Sequence, residues 1–209
     1  MNLKERNENM REFFNRKSDG YDEVHEKFMT TKNQLIDKLD INATKILDLG
    51  AGTGLELIHL YETRPNARTT AIDISESMLE KLKERSFADK VETICGDFFD
   101  VNFGSGYDAV ISTSALHHFL KDTKLKLYKK IYESLGKNGE FLNADKIALS
   151  NEAEEESLED YNLHKDERPH IDTPLSIEHE VEILLQAGFK DVKVYETEKE
   201  DYRLIKAKK

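Results

Sequence analysis

From Lys45 onward, short apolar runs alternate with longer amphipathic stretches. Short runs rich in β-branched residues are typical of strands, and apolar residues that recur every three or four positions are typical of helices. The predicted strands are Lys45–Leu49, Thr69–Asp73, Val91–Cys95, Tyr107–Thr113 and Gly139–Asp145, and the predicted helices between them cover residues 54–63, 76–86 and 122–135. This alternation favours crossover connections and a mainly parallel sheet with helices on both faces.

The two ends of the chain depart from this alternation. Two amphipathic segments precede the first predicted strand, and residues 146–175 predict a helix followed by an irregular loop. A short connection joins the last two predicted strands, which indicates an antiparallel pair. These end segments are predicted helices at residues 4–17, 22–39 and Ser176–Gln186, and predicted strands at Lys190–Glu196 and Tyr202–Lys208.

The first predicted strand runs directly into a glycine-rich loop, Gly50-Ala51-Gly52-Thr53-Gly54, and a helix follows. Glycine allows the backbone to turn sharply and approach a ligand, and the helix N-terminus favours an anionic group. A P-loop would need Gly-Lys followed by Ser or Thr, which is absent. The dinucleotide pattern needs Gly or Ala where Leu55 stands. A nicotinamide-dependent oxidoreductase therefore fits poorly and is kept as an alternative.

Acidic residues follow the next two predicted strands. Asp73 ends the second strand, where a carboxylate can accept hydrogen bonds from the two hydroxyls of a ribose. Ser75 is the better N-cap of the next helix, which leaves Asp73 available for a ligand. Asp97 follows the third strand. Because ligands bind at the carboxyl edge of such sheets, we predict a nucleoside site there.

These motifs resemble those of the class I S-adenosylmethionine-dependent methyltransferases. The glycines at every second position are similar to the first motif of that family, and Ala115-Leu116-His117-His118 is similar to a segment of its small members. The stretch from Phe13 to Asp22 and the Ala187-Gly188-Phe189 segment also resemble family segments. The resemblance covers residues 10–145 and 176–208 and is specific for the cofactor, not for the acceptor.

The resemblance implies an α/β, Rossmann-like fold with a mainly parallel seven-stranded sheet, an antiparallel final strand and helices on both faces. It implies one domain over residues 1–209, in which residues 1–40 form a helical N-terminal cover and residues 146–175 flank the acceptor site. It also implies S-adenosylmethionine as the cofactor, with Asp73 on the ribose, Asp97 on the adenine amino group and Tyr21 over the methionine end. The expected cofactor-binding residues are Tyr21, Asp48, Gly50, Ala51, Gly52, Gly54, Asp73, Ile74, Met78, Asp97, Phe98 and Thr113.

The neighbouring histidines His117 and His118 raise the question of a metal site. Two consecutive side chains rarely converge on one ion, and no third ligand stands out at a helical or loop spacing, so we expect no metal. A sulfonium methyl group is already activated, so no nucleophilic side chain is required and no catalytic residue is assigned. The candidate bases are His117, His118, Asp145, His164 and His170.

Composition narrows the expected partners. The 209 residues carry a formal net charge of −11, which argues against nonspecific binding to nucleic acid. The single cysteine, Cys95, fits a reducing compartment, and no apolar stretch is long enough to span a membrane. The charged N-terminal residues do not form a signal peptide. We therefore expect a cytoplasmic enzyme with a small-molecule acceptor, and the oligomeric state is left open.

Two alternative functions are closer to a methyltransferase than the nicotinamide-dependent oxidoreductase is. Asn143-Ala144-Asp145 resembles relatives of the carboxy-S-adenosylmethionine synthases that serve wobble-uridine tRNA modification, although the basic residues expected for a carboxylated cofactor are not recognisable. A noncatalytic S-adenosylmethionine-binding protein is the other alternative.

Overall fold

A seven-stranded sheet lies at the centre of the computed structural model, which describes residues 3–168 and 170–209. The strands are β1 (Lys45–Leu49), β2 (Arg68–Asp73), β3 (Val91–Cys95), β4 (Tyr107–Thr113), β5 (Leu135–Lys146), β6 (Lys190–Glu196) and β7 (Tyr202–Lys208). Their order is β3-β2-β1-β4-β5-β7-β6. Strands β1 to β5 pair in parallel, and β7 is antiparallel to both β5 and β6. The predicted sheet, with its antiparallel end, is confirmed.

The winding of the chain reverses at β1, which lies between β2 and β4. Strands β2 and β3 extend the sheet on one side, and β4 and β5 extend it on the other. A reversal of this kind leaves a crevice at the carboxyl ends of the central strands, because the following connections leave in opposite directions. The loops after β1, β2, β3 and β4 all open into this crevice.

Eight α-helices are assigned in the described residues. They are α1 (Leu3–Lys17), α2 (Tyr21–His25), α3 (Met29–Lys38), α4 (Leu55–Thr63), α5 (Glu76–Lys83), α6 (Lys121–Ser134), α7 (Asn151–His164) and α8 (Ile177–Gln186). Within the described ranges, none of them combines the length and the apolar character needed to cross a bilayer.

The predicted continuous helix over residues 22–39 is wrong. A 3-10 turn at Glu26–Phe28 separates α2 from α3. We attribute the break to side-chain packing. Around the 3-10 turn, aromatic rings pack against the rest of the protein in place of an aliphatic stripe. His25 stacks on Tyr21 with ring centroids 3.7 Å apart, and Phe28 packs against Tyr202 on β7 at 5.4 Å.

Two apolar clusters cover the faces of the sheet. Alternate residues of each strand point to opposite faces, so Leu47 and Val110 join one cluster while Ile46 and Ile111 join the other. All four side chains are fully buried. The two packed faces hold the strand ends in fixed positions and therefore fix the geometry of the crevice.

Candidate active site

The glycine loop joins β1 to α4 at the edge of the crevice. Gly50, Gly52 and Gly54 all have positive φ, at 76°, 52° and 75°, a region that favours glycine. A Cβ at Gly50 would lie 2.5 Å from the Cβ of Ala115, so any side chain there would collide with the segment after β4. The loop thus brings bare backbone to the crevice, as the sequence predicts.

A cavity with an empty volume of about 630 Å³ lies in the crevice, and we call it the cofactor cavity. Nine of the twelve predicted cofactor-binding residues line it, namely Tyr21, Gly50, Gly52, Asp73, Ile74, Met78, Asp97, Phe98 and Thr113. Further lining residues are Asn7, Met10, Phe14, Gly96, Ser114, Ala115, His118 and Phe119.

Asp73 lies at the end of β2 beside the glycine loop. Its two carboxylate oxygens accept backbone N–H bonds from Gly52 and Ser75, both at 2.8 Å. Burial raises the pKa of Asp73 to about 6, against the opposing effect of these two hydrogen bonds. Ser75 caps α5 by accepting from the N–H of Met78, as expected. Each carboxylate oxygen keeps a lone pair that a ribose hydroxyl can use.

Asp97 follows β3 and is held by two donors. The side-chain amide of Asn7 donates to one oxygen at 2.6 Å, and the backbone N–H of Phe99 donates to the other at 2.9 Å. Phe98 is buried beside it. Asn7 and two apolar neighbours on α1, Met10 and Phe14, line the cavity although the sequence did not single them out as cofactor residues.

Three predicted cofactor residues do not line the cavity. Asp48 on β1 is fully buried beneath the loop, Ala51 donates its N–H to the carbonyl of Ile72, and Gly54 faces Leu82 in the core. Burial, and after it the charge of Glu56, raises the pKa of Asp48 well above its ordinary value and favours the neutral carboxyl. These three residues lie on the side of the glycine loop away from the cofactor cavity and support the loop there.

A buried ion pair adjoins Asp48. Lys32 on α3 donates to Glu56 on α4 and to the hydroxyl of Thr113 on β4, both at 2.6 Å. Thr113 donates to the same Glu56 oxygen at 3.1 Å. The hydroxyl of Thr113 is thus fixed by the ion pair while its residue lines the cavity.

A second cavity, which we call the aromatic cavity, adjoins the first and has an empty volume of about 970 Å³. The two cavities share four lining residues: Phe14, Tyr21, Ser114 and His118. The other residues around the aromatic cavity are Phe13, Lys17, Asp19, Gly20, Val24, His25, Phe28, His117, His170, Asp172 and Tyr202.

The candidate bases fall into two groups. His164 lies on the surface of α7, where it pairs with Asp160 and Glu167, and it lines neither cavity. His117, His118 and His170 lie together at the wall of the aromatic cavity. Asp145 is buried behind them and bonds Nδ1 of His117 at 2.5 Å.

The environment of each histidine sets its charge. Burial alone would lower the pKa of His117, but the charge of Asp145, its hydrogen bond to His117 and the charge of Asp172 raise it to about 9. Burial, and after it the charge of His117, lowers the pKa of His118 to about 3. Burial also lowers the pKa of His170. One protonated imidazole and two neutral ones therefore share this wall at neutral pH.

The fold and the site define a class of protein: a Rossmann-like α/β protein whose glycine loop and ribose-type carboxylate meet at the switch point of the sheet. Comparison with known proteins adds the family. A family model described as "Methyltransferase domain" matches residues 46–139. The carboxy-S-adenosyl-L-methionine synthase of Nautilia profundicola is 31% identical over 167 residues, which cover 72% of this chain and 71% of that protein. The chain belongs to the S-adenosylmethionine-dependent methyltransferase family.

Two further matches are consistent with this family. The malonyl-[acyl-carrier protein] O-methyltransferase of Priestia megaterium is 34% identical over 124 residues, which cover 56% of this chain and 45% of that protein. The structure of human N-acetylserotonin methyltransferase in complex with S-adenosylmethionine has the same fold, with a TM-score of 0.70 at 21% identity. That alignment covers 89% of this chain and 53% of the human one. The chain therefore spans only about half the length of these two proteins.

S-adenosylmethionine is the cofactor of this enzyme, as the glycine spacing predicts, and the nicotinamide alternative is set aside. The residues of the cofactor cavity fit it. The glycine loop brings the backbone of Gly50 and Gly52 to the cavity, Asp73 offers carboxylate oxygens, and Ile74 and Met78 provide apolar walls.

Proposed function

We propose that the chain transfers the methyl group of S-adenosylmethionine to a small-molecule acceptor in the aromatic cavity. The observation that carries this proposal is the junction of the two cavities at Phe14, Tyr21, Ser114 and His118. An acceptor in the aromatic cavity would reach the cofactor cavity through this junction.

When bound, the cofactor supplies a methyl group that its sulfonium already activates. The protein's task is to align the acceptor, exclude water and remove a proton where the acceptor carries one. Phe13, Phe14 and Phe28 supply apolar walls that exclude water. His25 and His118 line the aromatic cavity, and burial lowers the pKa of both, so both imidazoles are neutral at neutral pH. We assign the catalytic base to neither.

We propose a neutral or cationic acceptor and a cytoplasmic location. The formal net charge is −11, and the single cysteine fits a reducing compartment. An acidic molecule or a nucleic acid would meet a repulsive surface.

The test uses S-adenosylmethionine with a deuterated methyl group and a low-molecular-weight cell extract. We expect S-adenosylhomocysteine and a labelled small molecule in equal amounts. The Asp73→Ala variant, which lacks the ribose acceptor, should give much less of both. Label found only in RNA or protein would contradict the small acceptor, and binding without release of S-adenosylhomocysteine would indicate a noncatalytic binding protein.

A second candidate function is the synthesis of carboxy-S-adenosylmethionine, which the Nautilia profundicola relative favours by its name. Its cofactor product carries one more carboxylate, and burying that charge requires a cation or several donors. No lysine or arginine lines the described part of the cofactor cavity, which favours methyl transfer instead. Mass spectrometry separates the two reactions, because only the second gives a carboxylated cofactor and no S-adenosylhomocysteine.

A further inference from the structure

Three histidine nitrogens face one carboxylate oxygen at the wall of the aromatic cavity. Oδ1 of Asp172 lies 3.5 Å from Nε2 of His117, 3.4 Å from Nδ1 of His118 and 3.6 Å from Nε2 of His170. These separations exceed the usual 2.7–3.2 Å of a hydrogen bond. Nδ1 of His118 and Oδ1 of Asp172 are both buried, and neither has a hydrogen-bond partner in the described residues.

We infer that His117, His118 and Asp172, with His170 beside them, form a binding site for one divalent transition-metal ion such as Zn²⁺. The ligand atoms of His117, His118 and Asp172 lie within 4.8 Å of one another. Zn–N and Zn–O bonds of about 2.0–2.2 Å in a tetrahedron place neighbouring ligand atoms roughly 3.3–3.6 Å apart. The separations around Asp172 match this spacing.

The chemistry of the donors selects the kind of ion. Imidazole nitrogens suit Zn²⁺, Co²⁺ and Ni²⁺, whereas Mg²⁺ and Ca²⁺ prefer oxygen ligands. Imidazole binds a metal through a neutral nitrogen, so the protonated His117 would have to release a proton when an ion binds. The set therefore offers two imidazole nitrogens and one carboxylate oxygen, and Nε2 of His170 lies beside them.

The residues behind this set have the arrangement that orients metal ligands. Asp145 bonds Nδ1 of His117 at 2.5 Å, which directs Nε2 toward the cluster. Asp145 itself accepts the backbone N–H of Leu116 at 2.8 Å and that of His117 at 3.0 Å. A ligating histidine commonly has its second nitrogen on a carboxylate in this way. Lys146 donates to Oδ2 of Asp172 at 2.9 Å and leaves Oδ1 directed at the histidines.

The position of the proposed metal site suggests a role in binding the acceptor. His118 lines both cavities, so an ion bound there would lie beside the acceptor. With three protein ligands and one open position, a metal can hold an acceptor oxygen and orient it. The site is thus suited to an acceptor that carries a hydroxyl or carbonyl oxygen.

The sequence expectation of no metal rested on the absence of a third ligand at a recognisable spacing. Asp172 comes from the segment after α7 and not from the chain next to His117 and His118. Only the packing of that segment against the turn after β4 brings it to them; the backbone N–H of Thr173 donates to the carbonyl of His117 at 2.8 Å.

The test measures metal binding and not activity, so its result does not depend on which acceptor the enzyme uses. Tag-free full-length protein is stripped with a chelator and titrated with Zn²⁺ by calorimetry and with Co²⁺ by visible absorption. We expect one ion per chain and the absorption bands of tetrahedral Co²⁺. Failure of the folded protein to bind either ion would overturn the inference, whereas S-adenosylhomocysteine binding in the same preparation reports separately on the proposed function.

Substitutions of the proposed ligands test where the ion binds. His118→Ala and Asp172→Ala should each lower Zn²⁺ affinity at least tenfold and remove the Co²⁺ bands. Asp172 is partly exposed, so its variant should fold even if the buried His118→Ala does not. His59→Ala is the matched control, because His59 also pairs with two carboxylates, those of Asp37 and Glu62, on the surface. Equal affinity in Asp172→Ala, or an equal loss in His59→Ala, would refute the site.

Asp145 acts through His117 and is a positioning residue. Asp145→Asn should reduce Zn²⁺ affinity by roughly 10- to 100-fold, the range found for such supporting carboxylates. Binding of S-adenosylhomocysteine checks that this variant is folded. Zn²⁺ affinity equal to that of the unmodified protein would count against the orienting role.

Discussion

At the scale of single residues, Asp73 shows how the fold prepares a ligand-binding carboxylate. Two backbone N–H groups fix its orientation, and burial in the crevice strengthens any further hydrogen bond it accepts. The same burial raises its pKa to about 6. The affinity for the cofactor and its dependence on pH should therefore depend on this one side chain.

Replacing Asp73 with alanine should weaken the binding of S-adenosylhomocysteine. We expect a loss of about 1–3 kcal/mol, the value of hydrogen bonds to a charged group. Calorimetry gives the loss directly. Asp73→Asn keeps the shape and one acceptor oxygen and should lose less. Unchanged affinity in a folded Asp73→Ala variant would contradict the ribose assignment.

Binding should also depend on pH through the same group. The pKa of about 6 in the folded protein lies above the ordinary value of 3.8. Above pH 6 the carboxylate is ionised and binds fully; as the pH falls through 6, protonation removes an acceptor and the affinity decreases. The stability of the fold depends on pH in the opposite direction, because burial favours the neutral carboxyl of Asp73 in the folded protein. The stabilising contribution of Asp73 is therefore complete below pH 3.8 and is lost as the pH rises through 6.

Calorimetry between pH 5 and 8 checks the binding part of this prediction. Near pH 6, binding should release protons, which appears as a dependence of the heat on the buffer used. Asp73→Asn should remove most of this proton release. A variant with the same proton release as the unmodified protein would show that another group is responsible.

At the scale of elements, α1 and the segment after α7 cover the two cavities. Asn7 on α1 binds Asp97, and the side chain of Arg11 donates to the carbonyl of Ile74. Arg6 donates to the carbonyl of Ile171 at 3.1 Å, which ties α1 to the segment after α7. Both covering segments therefore contact the strand ends that form the crevice, and we propose that they close further when the cofactor binds.

Hydrogen exchange with and without S-adenosylhomocysteine tests this closure. We expect amides in residues 1–40 and 146–175 to gain protection, because closing the cover excludes water from the methyl group. Protection confined to residues 50–97 would contradict the proposal. Protection that includes Tyr21 but not residues 146–175 would limit the cover to the N-terminal segment.

At the scale of the whole molecule, the Lys32–Glu56 pair joins α3, α4 and β4 beneath the glycine loop. Lys32→Met leaves Glu56 buried without its partner, next to Asp48. Removing one partner of a buried ion pair costs about 3–5 kcal/mol. Unfolding in urea should show a loss of this size in the free energy of unfolding.

Lys81→Met is the matched control for this loss. Lys81 pairs with Asp19 on the surface, where solvent screens the charges. This variant should unfold at the same urea concentration as the unmodified protein. A loss in Lys32→Met no larger than in Lys81→Met would show that the buried pair does not support the loop.

The net charge of the molecule makes a prediction about nucleic acid. With a formal net charge of −11, the chain should not bind bulk tRNA tightly at physiological salt. Filter binding or fluorescence anisotropy at two salt concentrations measures this. Tight binding that weakens steeply as salt is added would reveal a local basic surface and would favour the tRNA-related alternative.

The sequence by itself determined the sheet, the glycine loop and the class of cofactor. Strands such as β1 and β4 are short apolar runs that are buried at nearly every position, and glycine stands at the three positive-φ positions of the loop, Gly50, Gly52 and Gly54. Both signals are local, because each depends on neighbouring residues and on backbone geometry. Asp73 could also be predicted, since it follows directly from the position of a strand end.

The tertiary structure alone decided which distant residues complete the site. Nothing near Asn7 in the chain indicates that it binds Asp97, and nothing near Asp172 indicates that it faces His117 and His118. The break between α2 and α3 likewise follows from the packing of Phe28 against Tyr202. Contacts between segments far apart in sequence depend on how whole elements pack, and a local pattern of polar and apolar residues does not encode that packing.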